Sequence, residues 1–243
     1  MPQRFYRHYA NAIAEAGFCA LTYDYRGIGG SRPRSLRGFN AQMRDWALLD
    51  MAGVLDWVRS ELHPERIYMV GHSVGGQVAG LLEDSAAIDA MLTLSAQNGH
   101  WRLQGGEQKL TVAFHMHVTF PLLAYGFGYL PWSRFGASED LPKGVALEWS
   151  RWCRDRDYLL GDDSLPLHRY VDFKAPVLAY SIDDDKWGTP AAVDAMMSAY
   201  PNVERRHIDP SHHGLQSLGH FGYFRPEARA AWAAGIAWLK ALP

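Results

Sequence analysis

Residues Gly71-His72-Ser73-Val74-Gly75 hold a serine between glycines in the pattern G-x-S-x-G. The run Arg66-Ile67-Tyr68-Met69-Val70 before them is apolar and β-prone, and the stretch from Val74 onward is compatible with a helix. A glycine-flanked serine between a strand and a helix implies a sharp, strained turn that lifts the hydroxyl clear of a sheet's carboxyl end. It also aims the Val74 N–H, at the start of the helix, at any negative charge that develops beside the serine. A chance glycine-rich turn would lack the strand and helix on its two sides.

The rest of the chain supplies elements that suit such a turn. Phe5, Tyr9, Ala12, Ile13 and Ala16 share one face of a helix expected over Arg4 to Ala16, with Gly17 as its stop. Strands are expected at Phe18 to Tyr25, Arg66 to Val70, Ile88 to Ser95, Val177 to Ile182 and Val203 to Ile208. Helices are expected at Ala41 to Ser60, Val74 to about Asp84, Ala191 to Ala199 and Pro226 to Leu242. Strands alternating with helices define an α/β fold with a mostly parallel sheet covered by helices on both faces. Gln97 to Tyr170 breaks the rhythm, is rich in Trp, Phe and Tyr, and is expected to form an inserted helical cap. The core then comprises residues 1–96 and 171–243, and the cap residues 97–170.

Charge excludes some partners. With 24 Lys and Arg against 26 Asp and Glu and no basic stripe, nucleic acid is not an expected partner. Cys19 and Cys153 are far apart with no metal or redox spacing, which suits a reducing compartment and makes the cytoplasm the expected location. The first sixteen residues lack the apolar core and cleavage site of a signal peptide. Leu110 to Leu130 has no Asp, Glu, Lys or Arg over a length that could span a bilayer. His115, His117, Thr111, Thr119, Pro121, Gly126 and Gly128 argue against a span and for a buried or substrate-covering helix pair.

A serine hydroxyl needs a base to take its proton, and the base needs an orienting acid. The order Ser, acid, His is available downstream: the run Val177 to Ile182 ends in Asp183-Asp184-Asp185, at a strand's carboxyl end, and Gly219-His220-Phe221-Gly222 precedes the closing helix. One of the three aspartates is expected to orient the base and the other two to be solvated turn residues. His220 is preferred as base over His212 and His213, because a flanking glycine and aromatic suit a buried imidazole. His115 and His117 alternate without a carboxylate or cysteine at ligand spacing, so no metal site and no cofactor is expected. His72 is expected to pack beside the turn.

These pieces resemble the α/β-hydrolase superfamily, in particular bacterial α/β hydrolases allied to serine aminopeptidase-like and esterase-like members. The resemblance rests on Asp24-Tyr25-Arg26-Gly27-Ile28-Gly29-Gly30-Ser31, on Gly71 to Gln77, on Leu147 to Cys153, on Asp184-Asp185 and on Gly219 to Arg225. It implies Ser73 as nucleophile, Val74 N–H as one oxyanion donor and His220 as base. It also implies Asp185 as acid, nine positions after Pro176, with Asp184 as the alternative acid. It further implies a strand and a loop ahead of the helix at Arg4 to Ala16, the loop giving a second oxyanion donor, and so coding sequence for them upstream of Met1.

The resulting expectation is hydrolysis of a carboxylic ester or thioester through an acyl-serine intermediate, on a small-molecule acyl substrate held under the aromatic cap. The alternatives are a peptidase or amidase, and a non-catalytic ligand-binding or scaffold protein on the same fold.

Overall fold

In the computed structural model, which describes residues 1–136 and 139–242, four parallel strands form the central sheet. They are β1 (Tyr68–His72), β2 (Ala90–Leu94), β5 (Val177–Ile182) and β6 (Val203–Ile208), in the order β1-β2-β5-β6. The register pairs His72 with Leu94, Leu94 with Tyr180 and Ile182 with Ile208. The carboxyl ends of all four strands therefore line one rim, and the loops that follow them converge there.

Alternate side chains on each strand face opposite layers. Leu92, Leu94, Leu178, Tyr180 and Ile182 pack with Tyr9, Ala12 and Ile13 of α1 (Arg7–Glu15) and Trp232 and Leu239 of α9 (Arg229–Ala241). Met91, Val177 and Ala179 face the other way. They meet Leu55 of α2 (Ala52–Trp57), Val78 of α3 (Val74–Val78) and Val193 and Met196 of α8 (Pro190–Met197). Helices thus cover both faces, as the alternation of elements requires.

Between β2 and β5 lies the inserted region. One helical rod covers 108–127, built from α4 (Gln108–Phe114), a wider π-helical turn (His115–Thr119) and α5 (Phe120–Phe127). An antiparallel pair with two residues per strand follows, β3 (Tyr129–Leu130) against β4 (Leu141–Pro142), then α6 (Lys143–Arg154) and α7 (Arg169–Asp172). Its buried residues Val112, Met116, Phe120, Val145 and Trp152 join the same apolar cluster as Leu82 and Met91 beside the sheet. Arg44 adds a polar tie: its Nε donates to Glu148 Oε1 at 2.6 Å, its backbone N–H donates to Glu148 Oε2 at 2.9 Å, and an Nη reaches Asp162 at 3.1 Å. Burial pushes the Asp162 carboxyl up. Ser164, Trp152 and Arg151 outweigh that and hold it down to about 2.

Three sequence expectations need correction. Phe18 to Tyr25 is extended chain and not a strand, and residues 19–22 are exposed. An apolar run becomes a strand only where a neighbour completes its ladder, and among the described residues β1, the edge of the sheet, pairs only with β2. The helix expected from Ala41 begins at 45–46. Before that, the Gln42 N–H is taken by Asp45 Oδ2 at 2.8 Å and the Arg44 N–H by Glu148, so these donors serve side chains and not a helix. Lastly, the expected helix pair at Leu110 to Leu130 is the single rod 108–127. The π turn ahead of Pro121 leaves room for the proline ring, and the helix stops only at Gly128, whose φ is +79°. The rod is long and apolar enough to cross a membrane by length and composition, with 22% of its most apolar window buried.

Candidate active site

The turn between β1 and α3 carries Ser73 with φ +50° and ψ −117°, a strained conformation for a residue with a Cβ. The strain is held by the sheet, since the Ser73 N–H donates to Leu94 O at 2.9 Å and the Ser73 carbonyl accepts from Gly76 and Gln77 N–H. A Cβ on Gly71 would lie 2.6 Å from Gly76 N, and one on Gly76 would lie 2.7 Å from the Ala96 Cβ. The tight positions are therefore Gly71 and Gly76. At Gly75, the second glycine of the motif, a Cβ would meet nothing closer than Tyr25 Oη at 3.7 Å.

His220 meets this serine across the rim. Its Nε2 lies 3.0 Å from Ser73 Oγ, and its Nδ1 lies 2.8 Å from Asp185 Oδ2, on the loop after β5. A carboxylate only accepts, so Nδ1 carries the hydrogen and Nε2 is left free to accept the Ser73 hydroxyl. The other Asp185 oxygen accepts from Trp187 N–H at 2.8 Å and Gly188 N–H at 2.9 Å. Burial pushes the Asp185 carboxyl up. The hydrogen bond and charge of His220 with the Gly188 N–H outweigh it and hold the group down to about 2, so it is ionised at neutral pH.

Asp184 stands apart from the imidazole. Its two oxygens accept the Leu218 and Gly219 N–H groups, each at 2.9 Å, and so tie down the loop that delivers His220. Asp183 is exposed and its Oδ1 lies 3.3 Å from His207 Nε2. His212 and His213 lie on a short 3₁₀ turn (Pro210–His213), His212 exposed and 3.6 Å from Asp209. His115 and His117 contact their own helix, through Thr119 Oγ1 and Ala113 O. The Val74 N–H opens α3 immediately beside Ser73.

His72 packs beside the turn as expected, and the other neighbours of the site gave no signal in the sequence. His72 Nε2 lies 2.8 Å from the carbonyl of His220, and its Nδ1 lies 3.0 Å from Tyr6 Oη. Since the carbonyl can only accept, His72 donates from Nε2 and accepts the tyrosine hydroxyl at Nδ1. Burial, reinforced by the neighbouring His220, drives its pKa down to about 3, so it stays neutral. On the other side of the serine, Gln97 Oε1 lies 3.4 Å from Ser73 Oγ and accepts Gln77 Nε2 at 3.0 Å, while Gln77 Oε1 accepts the Tyr158 hydroxyl at 3.0 Å. No periodicity marks a buried glutamine as functional. A separate groove of about 610 Å³ between Asn40, Arg44, Glu148 and Arg154 includes none of Ser73, Asp185 and His220.

A parallel sheet with helices on both faces and a glycine-flanked serine at its carboxyl rim, facing a histidine and a carboxylate, defines a class of hydrolases. A model of the alpha/beta hydrolase family matches residues 2–232, and the chain belongs to that family. Solved structures share the fold at low identity. A thermophilic esterase from Thermogutta terrifontis is 18% identical with a TM-score of 0.59, over 100% of this chain and 86% of that one. A monoacylglycerol lipase from Paleococcus ferrophilus is 14% identical with a TM-score of 0.61, over 99% and 90%. A hydrolase from Oleispira antarctica is 15% identical with a TM-score of 0.62, over 99% and 87%. A search of curated proteins finds no match.

Proposed function

We propose that this hydrolase cleaves a carboxylic ester or thioester through an acyl-serine intermediate. The observation that carries the reading is the continuous line from Ser73 Oγ to His220 Nε2 and from His220 Nδ1 to Asp185 Oδ2, at 3.0 and 2.8 Å, with the serine on a left-handed turn. His220 takes the Ser73 proton as Oγ attacks the carbonyl carbon, and later delivers it to the leaving alcohol or thiol. Asp185, ionised throughout, holds the imidazole in the required tautomer and stabilises the imidazolium. The Val74 N–H donates to the oxyanion of the tetrahedral intermediate. Water then repeats the sequence on the acyl-serine and releases the acid.

Family membership and the esterase and lipase neighbours support a hydrolase, and the placement of the three side chains supports acyl transfer as its chemistry. A panel of p-nitrophenyl esters of increasing acyl length tests the reading. Turnover that depends on acyl length and disappears in Ser73→Ala is expected. Turnover that persists in Ser73→Ala, or a preference for amide over ester substrates, would count against it.

A further inference from the structure

The rod 108–127 has two apolar faces, and among the described residues only one of them is covered. Val112, Met116, Phe120 and Ala124, four residues apart, are buried against the protein. Leu110, Phe114, Val118, Leu122 and Tyr125 follow the opposite side, and Leu110, Leu122 and Tyr125 are 65, 68 and 66% exposed. Phe135, on the turn after β3, is likewise exposed. A row of this length on one helix exceeds the scattered apolar residues of an ordinary surface.

Cations frame the row. At its C-terminal end Lys143 Nζ stands 4.4 Å from the centre of the Tyr125 ring, the Arg134 guanidinium 5.7 Å from the Phe127 ring, and Arg37 Nε donates to Phe127 O at 3.1 Å. At the other end are Lys109 and Arg102, the latter 4.9 Å from the Trp101 ring. The carboxylates at these margins are Glu107, just ahead of α4, Glu139, and Asp140, which is buried and paired with Arg32. Within 110–130 the sequence has no acidic or basic residue other than His115 and His117. An exposed apolar stripe with aromatic residues, flanked by cations from neighbouring segments, offers a bilayer surface the two attractions that hold a helix in its plane, apolar burial and charge. A crossing helix is incompatible with the fold, because the inner face is occupied and both ends return to the same domain.

We infer that the outer face of the rod 108–127 docks in the plane of an anionic phospholipid bilayer. Leu110, Phe114, Val118 and Leu122 enter the acyl boundary, and Arg37, Arg134 and Lys143 meet the phosphates. Anionic lipid is selected because the corners carry an excess of positive charge that a neutral surface would not reward. The inference does not depend on the hydrolase reading.

The test is co-sedimentation of the full chain with vesicles of phosphatidylcholine alone and with about a quarter phosphatidylglycerol. Binding to the anionic vesicles, weakened by salt, is expected. The double variant Leu110→Gln/Leu122→Gln, both exposed positions, should keep its melting temperature and bind roughly tenfold or more weakly. Arg37→Gln/Arg134→Gln/Lys143→Gln should erase the preference for anionic over neutral vesicles, and Ser73→Ala should bind like the parent. No binding to either vesicle, or binding that both multiple variants leave unchanged, overturns the inference. So does a dimer in size-exclusion chromatography that Leu110→Gln/Leu122→Gln dissolves, since a second copy would then be what covers the face.

Discussion

Asp184 and Asp185 are adjacent in sequence and face different partners: Asp185 Oδ2 is 2.8 Å from the His220 imidazole, whereas Asp184 accepts the backbone N–H groups of Leu218 and Gly219 that lead into it. One carboxylate acts on the ring and the other on the loop. Asp185→Asn is therefore expected to lower turnover on the order of 10³-fold or more, because an amide can leave the imidazole in the wrong tautomer. Asp184→Asn keeps one of the two loop acceptors and leaves the imidazole's own partner in place, so it should cost less than about tenfold. Steady-state kinetics on one ester checks the ranking, and the reverse order would assign the acid to Asp184.

His220→Ala should reduce turnover by about 10³-fold or more, while His213→Ala and His212→Ala should leave it nearly unchanged. The same assay on the three variants decides it. A larger loss for His213 would mean that the base reaches the serine from the Pro210–His213 turn.

The buried His72 makes stability depend on pH with a definite sign. Folded, its pKa is lowered to about 3, against an ordinary 6.5 for an imidazole in the unfolded chain. Unfolding therefore takes up a proton between about pH 6.5 and 3, and the stability due to neutral His72 is complete above that window and is lost as pH falls through it. His72→Gln retains a donor for the His220 carbonyl without a titrating ring. Its melting temperature should change less steeply across this window than the parent's, and equal slopes would contradict the neutral, clamped imidazole.

Arg44 joins the segment before α2 to Glu148 and Asp162 of the inserted region, both almost fully buried at their side chains. Arg44→Ala removes one of the two cations at this cluster and leaves Glu148 and Asp162 to Arg151, and should cost about 2 kcal/mol in denaturant unfolding. Arg44→Met/Glu148→Leu should recover part of that loss, because it removes buried charge from both sides. A loss below about 0.5 kcal/mol in the single variant would show that the cluster behaves like a solvated surface pair.

Much of this was legible in the residues. The G-x-S-x-G pattern pointed to Ser73, and the order of acidic cluster and histidine pointed to His220 with one of Asp183, Asp184 and Asp185; only the family resemblance singled out Asp185, and the fold brings Asp185, His220 and Ser73 within hydrogen-bond distance. β5 and β6 fell at their expected bounds: β5 is a run between Pro176 and Asp183 that is apolar but for Ser181, whereas β6 keeps only Val203 and Ile208 apolar at its ends around four polar residues. β1 begins two residues later than the apolar run, after the Ile67 N–H is taken by Asp89 Oδ2 at 2.7 Å, an interaction no local pattern encodes. Tyr6, Gln77, Gln97 and Tyr158 were invisible for the same reason. Their positions follow from burial of polar atoms across distant segments, whereas periodicity reports only which side of an element is apolar.

The most direct test of acyl transfer at Ser73 is fluorophosphonate labelling of the full chain, read by intact mass and peptide mapping. The expected result is one adduct per chain on Ser73, absent in Ser73→Ala and slowed on the order of 10³-fold in His220→Ala. A folded chain that takes up no label, or that carries the adduct at another residue, would contradict the Ser73, His220 and Asp185 mechanism.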